Sequence, residues 1–441
     1  MKIVITDFNN QKFWEENDVK TAELSCMNRI CVYPEIKRQT VFGFGGAFTE
    51  SSAYCYSNLS DEVKDKFINA YFSNEGLSYN IGRTHINSCD FSLSNYAADE
   101  DESDSDFEKF SLEREKKYII PLMREAEKCK GSSIELLLSP WSPPAYMKTN
   151  GEMNNGGKLK DEYYDRWAKY MVKFTEEMQK EGFAVRWISV QNEPEAIQTW
   201  DSCKYSAKEE AVFAGDYLGP QLEEHNLSDI RILVWDHNKE NAYERASEIL
   251  SYENAEKFVS GIAVHWYTGD HFENLGLIRE KYPNKEIVFT EGCVEYSRFG
   301  DSNEVYKAEM YAHDMIGNFR NGISAYLDWN LLLDFKGGPN HVGNYCDAPI
   351  MCSENFEDIK KNLSYYYIGH FSKYVKRGAS VIPVSSYCSE LETAAFLNPD
   401  GEKVLIVLNR TDAEKAFSAG DKEKGADYVI PPHSIATVIW D

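Results

Sequence analysis

The sequence predicts an α/β protein: a (β/α)8 TIM barrel with a β-sandwich side domain formed by both chain termini. Three observations predict it. Short, continuous apolar runs recur eight times between residues 41 and 329 and alternate with amphipathic segments, the pattern of a parallel sheet covered by helices. Polar and aromatic residues follow nearly every run, which favours a closed barrel with one working rim over a doubly wound open sheet, where only two or three strand ends would carry them. Beyond residue 376 the pattern turns to β-runs without helices.

The elements follow in order. Residues 1–38 hold the β-like runs Lys2–Thr6 and Ile30–Tyr33, assigned to the side domain. The barrel is expected over 39–375. Its first strand, Val41-Phe-Gly-Phe-Gly-Gly-Ala47, has the glycines of a strand packed tightly against its neighbours. Ser60 is an N-cap, with Asp61 and Glu62 in the first turn and Val63, Phe67 and Tyr71 at helical spacing. Residues 113–129 read as one helix despite Pro121. Trp167, Met171, Phe174 and Met178 mark an amphipathic helix over 161–181, and Ser206-Ala-Lys-Glu209 is a capping box. The eight strands are placed at 41–47, 78–84, 134–139, 185–190, 230–235, 262–266, 287–290 and 325–329. Residues 376–441 complete the sandwich. Leu391–Leu397 and Lys403–Asn409 form a hairpin across Asn398-Pro-Asp-Gly401, and two further strands lie at Tyr428–Ile430 and Ser434–Trp440.

Composition narrows the function classes. A formal charge of −25 over 441 residues opposes nucleic acid or an anionic membrane as partner. The ten cysteines form no CxxC, no disulfide framework and no zinc-ligand spacing. No run is long enough for a transmembrane helix. The N-terminus lacks the apolar h-region of a signal peptide, so a cytoplasmic location is expected. The acidic run Asp99–Asp106 reads as a solvated loop without calcium-loop spacing. Oligomeric state is left open.

In a barrel of this kind the chemistry sits at the C-terminal strand ends. Those ends present Arg83, Asn87 and Asp90-Phe91, then Trp141, then Asn192-Glu193-Pro194. Asp236-His237-Asn238, His265-Trp266-Tyr267, Glu291 and Asp328-Trp329-Asn330 follow. Amides, carboxylates and aromatic faces suit a neutral polyol, and no phosphate-binding glycine loop is present. The fourth and seventh strands lie across the barrel mouth, so Glu193 and Glu291 can oppose each other. Two opposed carboxylates are what hydrolysis of a glycosidic bond needs: about 5–5.5 Å apart for retention, about 6.5–9.5 Å for inversion. Arg83 beside one of them would keep it ionised. His265, Trp266 and Tyr267 cannot all face inward, because strand neighbours alternate.

The segments GFGGAFTESSA, YNIGRTHINSCDFS, LLLSPWSPPAYMKTNG, QNEPEAIQTW, GIAVHWYTGD, FTEGC and YLDWNLLLDFKGGPNHVGNYCDAPIM resemble glycoside hydrolase family 30, on its glucosylceramidase-like branch. The resemblance implies a retaining mechanism without metal or organic cofactor. By motif, Glu193 would be the general acid/base and Glu291 the nucleophile. Asn192 would meet the sugar 2-hydroxyl, Arg83 would stand by the nucleophile, and Tyr267 would hydrogen-bond near it. Asp90 and Trp141 would take the far hydroxyls, Trp329 and Asn344 would close that pocket, and Phe91 would line its wall. The expected substrate is a β-glucoside, a small one or a glycolipid resembling glucosylceramide, cleaved in exo fashion. A β-1,6-glucanase, β-xylosidase or β-fucosidase of the same family is the alternative. A non-catalytic carbohydrate-binding protein and a metal-dependent barrel hydrolase are the rivals from other classes.

Overall fold

A computed structural model describes residues 1–21, 26–422 and 424–441. Eight strands close into a parallel barrel: β1 (Gly43–Ala47), β2 (Ile81–Ile86), β3 (Glu135–Pro140), β4 (Val185–Ser189), β5 (Arg231–Asn238), β6 (Val259–His265), β7 (Glu286–Glu291) and β8 (Ala325–Asn330). Closure is made by β8 pairing in parallel with β1, Ala325 opposite Gly43. The glycines of β1 are a steric requirement: a Cβ on Gly45 would stand 1.9 Å from the Ile81 carbonyl oxygen.

The lower half of the barrel is filled by side chains. Ile81, Leu137, Trp187, Leu233, Ala263, Val288, Ala325 and Leu327 form one fully buried plug. Each large aliphatic member contributes about 1.5–3 kcal/mol by leaving water. Trp187 also donates from Nε1 to Glu286 Oε2 at 2.8 Å, so its one polar atom is satisfied inside the plug.

Helices cover the outside as their apolar spacing requires. Ser60 caps Asp61–Phe72 by accepting from the Val63 amide, and that helix buries Val63, Phe67 and Tyr71. Tyr164–Lys180 buries Trp167, Met171, Phe174 and Met178. The capping box at Ser206 is formed in both directions. The expected single helix over 113–129 is instead two, Glu113–Lys117 and Ile119–Lys130, broken at Tyr118. Pro121 is the cause: it has no N–H for the Lys117 carbonyl, and its ring would collide with that carbonyl in a continuous helix. The acidic run 99–106 is pinned rather than merely solvated. Arg166 donates to the carbonyl oxygens of Asp101, Glu102 and Asp104, and Lys109 pairs with Asp101.

A small three-stranded sheet, Leu332–Leu333, Ile350–Cys352 and Ile359–Lys361, follows β8, and the side domain adds two larger sheets. One has six strands, with Lys2–Asp7 seated between Ser434–Trp440 and Lys12–Asp18. The other has four and joins Arg29–Val32 to Val384–Ser386 and Lys415–Gly420. The hairpin Leu391–Leu397/Lys403–Asn409 is antiparallel, in register from Leu391–Asn409 to Leu397–Lys403. Two strands escape a reading by hydrophobic pattern. Lys12–Asp18 (KFWEEND) is a mostly exposed edge held by backbone pairing, and Lys415–Gly420 (KAFSAG) is too poor in branched residues to be recognised. Among the described residues, no helix is long and apolar enough to cross a membrane.

Candidate active site

The site grows out of the plug by strand alternation. Two residues above a plug member, the next inward side chain is polar: Ile81 leads to Arg83, Leu137 to Ser139, Trp187 to Ser189, Ala263 to His265 and Val288 to Thr290. β5 breaks the count. Its inward step from Leu233 is three residues, to Asp236. The register shifts between Trp235 and His237, and Trp235 and Asp236 take φ of 74° and 43°. This β-bulge turns Trp235 outward and delivers a carboxylate to the interior. The Trp235 amide donates to Glu210 Oε1 at 2.6 Å.

Arg83 and Asp236, both fully buried, form the centre of the polar layer. Asp236 accepts from Arg83 Nη2 (3.0 Å), Ser139 Oγ (3.2 Å), Ser189 Oγ (2.6 Å) and Thr290 Oγ1 (2.6 Å), and pairs with His265 Nε2 at 3.0 Å. Burial alone would raise this carboxyl, but Arg83 and His265 outweigh it and hold it well below the usual range. Arg83 spends its other donors on Glu291 Oε2 (2.6 Å), Asn192 Oδ1 (2.8 Å) and Ser139 Oγ (3.1 Å). Its guanidinium lies 4.7 Å from the Trp141 ring and 5.4 Å from that of Trp329. A reading that ended β2 at Arg83 placed it on the rim; β2 runs on to Ile86, and Arg83 sits inside the barrel.

The two glutamates stand in different surroundings. Glu291 closes β7, and its second oxygen accepts from Tyr267 Oη at 2.8 Å. Two donors on one carboxylate suit its ionised form. Burial, and then the charge of Glu193, raise its proton affinity, against His265, Arg83 and Tyr267. Glu193 lies beyond the end of β4 in a left-handed conformation, φ 48°, which costs a non-glycine residue about 1–2 kcal/mol. Its amide donates to the Asp236 carbonyl at 2.9 Å and its carbonyl accepts from the Ala196 amide at 2.9 Å. Pro194 adds rigidity. Among the described residues, no arginine or lysine pairs with Glu193. Its Oε1 lies 3.4 Å from His265 Nδ1 and 3.6 Å from His237 Nδ1. Burial favours the protonated acid, yet the two imidazoles, His265 first, bring it below the usual glutamate range. His265 is correspondingly pushed up to about 9: burial opposes its charge, but Glu291, Asp236 and Glu193 more than compensate.

Both glutamates line a cavity of about 170 Å³ with Asp90, Trp141, Asn192, Tyr267, Trp329 and Asn344. Trp141 and Trp329 stack at 5.3 Å and 25°. Asn344 donates to Asp90 Oδ2 at 2.9 Å, and Asp90 Oδ1 has no protein partner. Burial pushes the Asp90 carboxyl well above its ordinary value. Eight of the ten residues singled out from the sequence therefore meet at one cavity. The other two stand behind its wall: Arg83 under Trp141 and Trp329, and Phe91 edge-on to Trp329 at 6.0 Å and 87°. Phe91, expected on the wall, lies one ring behind it, in the apolar cluster that also holds Trp141 and Trp329. His265 and Tyr267 face inward. Trp266 faces the opposite way, against Tyr311 at 4.7 Å.

Asp236, His237 and His265 stand among the strand-end residues of the sequence reading, which assigns them no role. A signal existed for two of them, since Asp236 and His265 follow apolar runs just as Glu193 does. For Asp236 the period-two count gives the wrong face, because only the bulge turns it inward.

The sequence pattern of the glycosyl hydrolase family 30 TIM-barrel domain matches residues 41–375, and that of the family 30 β-sandwich domain matches residues 378–438. The chain is 34% identical over 429 residues to a protein of Mus musculus named lysosomal acid glucosylceramidase, covering 93% of this chain and 83% of the relative. It is 26% identical over 398 residues to an endo-1,6-β-D-glucanase of Neurospora crassa, covering 86% and 80%. Among solved structures, SrfJ from Salmonella typhimurium superposes with a TM-score of 0.96 at 40% identity, covering 100% of this chain and 99% of that one. The endo-β1,6-glucanase BT3312 superposes with 0.90 at 28%, covering 100% and 98%. The chain belongs to glycosyl hydrolase family 30 and is a glycoside hydrolase.

Proposed function

We propose that the protein is a retaining, exo-acting β-glucosidase acting on glucosylceramide-like or small β-glucosides, with Glu291 as nucleophile and Glu193 as acid/base. The observation that carries the assignment is the asymmetry between the two carboxylates. Glu291 is held by Arg83 and Tyr267, donors that aim it and favour its ionised form against the upward push of burial and of Glu193. Glu193 has two imidazoles beside it and no fixed cation among the described residues, and His265 Nδ1, 3.4 Å away, can share a proton with it.

In this reading Glu291 attacks the anomeric carbon while Glu193 protonates the departing oxygen. A glycosyl–Glu291 ester forms and the aglycone leaves as an alcohol. Water then adds to the anomeric carbon as Glu193 takes its proton, and the ester bond breaks to restore Glu291. The charge of Glu291 favours a proton on its neighbours before the attack. Once the ester forms, that charge is gone and Glu193 is released to act as base. Across 3.4 Å, one proton can serve either Glu193 or His265. Asn192, oriented by Arg83, faces the 2-hydroxyl, and Asp90 faces the far hydroxyls.

The small cavity, bounded at one end by the Asp90–Asn344 pair and the stacked tryptophans, favours a single terminal sugar. The 34% relative named a glucosylceramidase favours the β-glucosyl class. A second reading, endo-β-1,6-glucanase, is favoured by the likeness to BT3312. The test is a panel of aryl β-glucoside, β-xyloside and β-fucoside, glucosylceramide and a β-1,6-glucan. Release of glucose alone, with glucosylceramide or the aryl glucoside preferred, supports the first reading. Internal cuts in the glucan would replace it. Proton NMR of the first-formed sugar must show the β-anomer; the α-anomer would end the retaining mechanism.

A further inference from the structure

Beside the two carboxylates the structure holds a second set of ligand atoms that hydrolysis does not require. His237 Nδ1 and His265 Nδ1 are buried and neither has a hydrogen-bond partner. Both point at the same oxygen, Glu193 Oε1, from 3.6 and 3.4 Å. All three atoms lie within 4.8 Å of one another. A tetrahedral ion bound at about 2.0–2.1 Å separates its ligand atoms by about 3.3–3.4 Å, so two edges of such a site are already close to length. His265 is completely buried, and its other nitrogen lies 3.0 Å from Asp236 Oδ1. With the Nε2 proton donated to Asp236, an incoming ion that displaces the Nδ1 proton gains a lone pair directed toward His237 and Glu193. A carboxylate supporting a histidine in this way is the usual outer support of a metal-ligating imidazole. Asp236 is itself fixed by Arg83, Ser139, Ser189 and Thr290, so His265 is held rigidly. The remaining coordination position faces the cavity, which Glu193 and His237 both line.

We propose that Glu193, His237 and His265 form a binding site for a borderline transition-metal dication, Zn²⁺ or Cu²⁺, and that occupation inhibits the enzyme. Two imidazoles and a carboxylate match the preference of these ions, and disfavour Mg²⁺ or Ca²⁺, which want an all-oxygen shell. The ion takes the oxygen of Glu193 that the leaving group needs. Binding does not depend on the catalytic roles assigned above, whereas inhibition rests on Glu193 being the acid/base.

The test separates the two. Metal-stripped full-length protein is titrated with Co²⁺, whose visible absorption reports a four- or five-coordinate nitrogen/oxygen site. One equivalent of such absorption is expected, displaced by Zn²⁺. His237→Gln and Glu193→Gln, checked for native circular dichroism, should each weaken Co²⁺ at least tenfold. Zn²⁺ should inhibit hydrolysis of an aryl β-glucoside by the wild type and not inhibit in the presence of EDTA, and His237→Gln should need at least tenfold more Zn²⁺ for half-inhibition. Co²⁺ absorption unchanged in both variants, its absence at millimolar Co²⁺, or a thiolate-to-cobalt band showing that cysteines hold the ion would each overturn the site. Metal binding lost in Glu193→Gln, in a variant that still turns over poor-leaving-group substrates normally, would keep the metal site and sink the acid/base assignment instead.

Discussion

Strands of one barrel build two layers of opposite polarity. The lower one, Ile81 to Leu327, is apolar, with the Trp187 indole N–H satisfied within it. The upper one, two residues further along most strands, is a buried charge network around Arg83 and Asp236. The plug gains from the hydrophobic effect, and it is indifferent to which apolar atoms fill it so long as volume is kept. The network gains little net stability, because the cost of desolvating its charges offsets their attraction. What it provides is position: Glu291, Asn192 and His265 are each fixed by a hydrogen bond to Arg83 or Asp236. Substitutions in the two layers should therefore fail in different assays.

The largest effect falls on the glutamates. Glu291→Gln keeps shape and removes the proposed nucleophile. Turnover should fall by roughly 10⁴-fold or more, with a melting temperature near the wild type. Glu193→Gln should fall by about 10²–10⁴-fold on substrates with poor leaving groups, and much less on activated aryl glycosides, which need no proton. Steady-state rates on a leaving-group series check both. Equal losses across the series for Glu193→Gln would contradict its role.

Next is Asp236→Asn, which tests whether the network serves geometry. Arg83 keeps Glu291 and Asn192 but loses its buried counter-charge, and His265 loses its anchor. Turnover should drop by about 10–100-fold, the scale for hydrogen-bonded supports of functional side chains. Removing one partner of a buried pair also costs about 3–5 kcal/mol of stability. Kinetics and urea melts on one preparation read both quantities. A full loss of stability with kcat intact would make Asp236 purely structural.

The comparison also explains what the sequence could disclose. The plug and the helix faces are legible because alternation and 3.6-residue spacing are properties of neighbours in the chain. Val185–Ser189 and Glu286–Glu291 could be placed from their apolar residues alone, and so could the glutamates that follow. Asp236 is legible as a strand-end residue but not as the buried centre of the network, because it reaches the interior through a bulge with two positive φ angles, and no apolar pattern records that. The depth of Arg83 was misjudged for a related reason: Arg83-Thr-His-Ile86 looks like a strand end by polarity, yet β2 continues because Asp236 and Glu291 neutralise the arginine inside the barrel. Lys12–Asp18 shows the same limit outside the site, since its pairing lies in backbone atoms that carry no hydrophobic signal.

For the lower layer, Leu137→Ala is the matching test. Leu137 is completely buried in the plug, so its truncation should cost about 2–5 kcal/mol according to how far the cavity collapses. Turnover by the folded fraction should change by less than twofold, because Ser139, two residues along, keeps its bonds to Arg83 and Asp236. Thermal unfolding together with active-site-titrated kcat decides this. A large kcat loss at full folding would mean that the two layers are mechanically coupled.

The smallest expected effect is a pH drift in stability to which the upper layer contributes and the plug does not. His265 has its pKa raised in the folded protein to about 9, by Glu291, Asp236 and Glu193 against its burial, from an unfolded value near 6.5. A folded pKa above the unfolded one means that the folded state binds the proton more tightly. The stabilisation is then fully present below about pH 6.5, declines by at most about 1.4 kcal/mol per pH unit above it, and is lost once pH passes about 9. Urea melts at pH 6, 7.5 and 9 should show the wild type losing unfolding free energy across that window. His265→Gln should be less stable at pH 6 and flatter above it, while Leu137→Ala should run parallel to the wild type at every pH, because the plug holds no group that titrates there. A Leu137→Ala curve that converges on the wild type at pH 9 would show that the charge layer shares its stability with the apolar one.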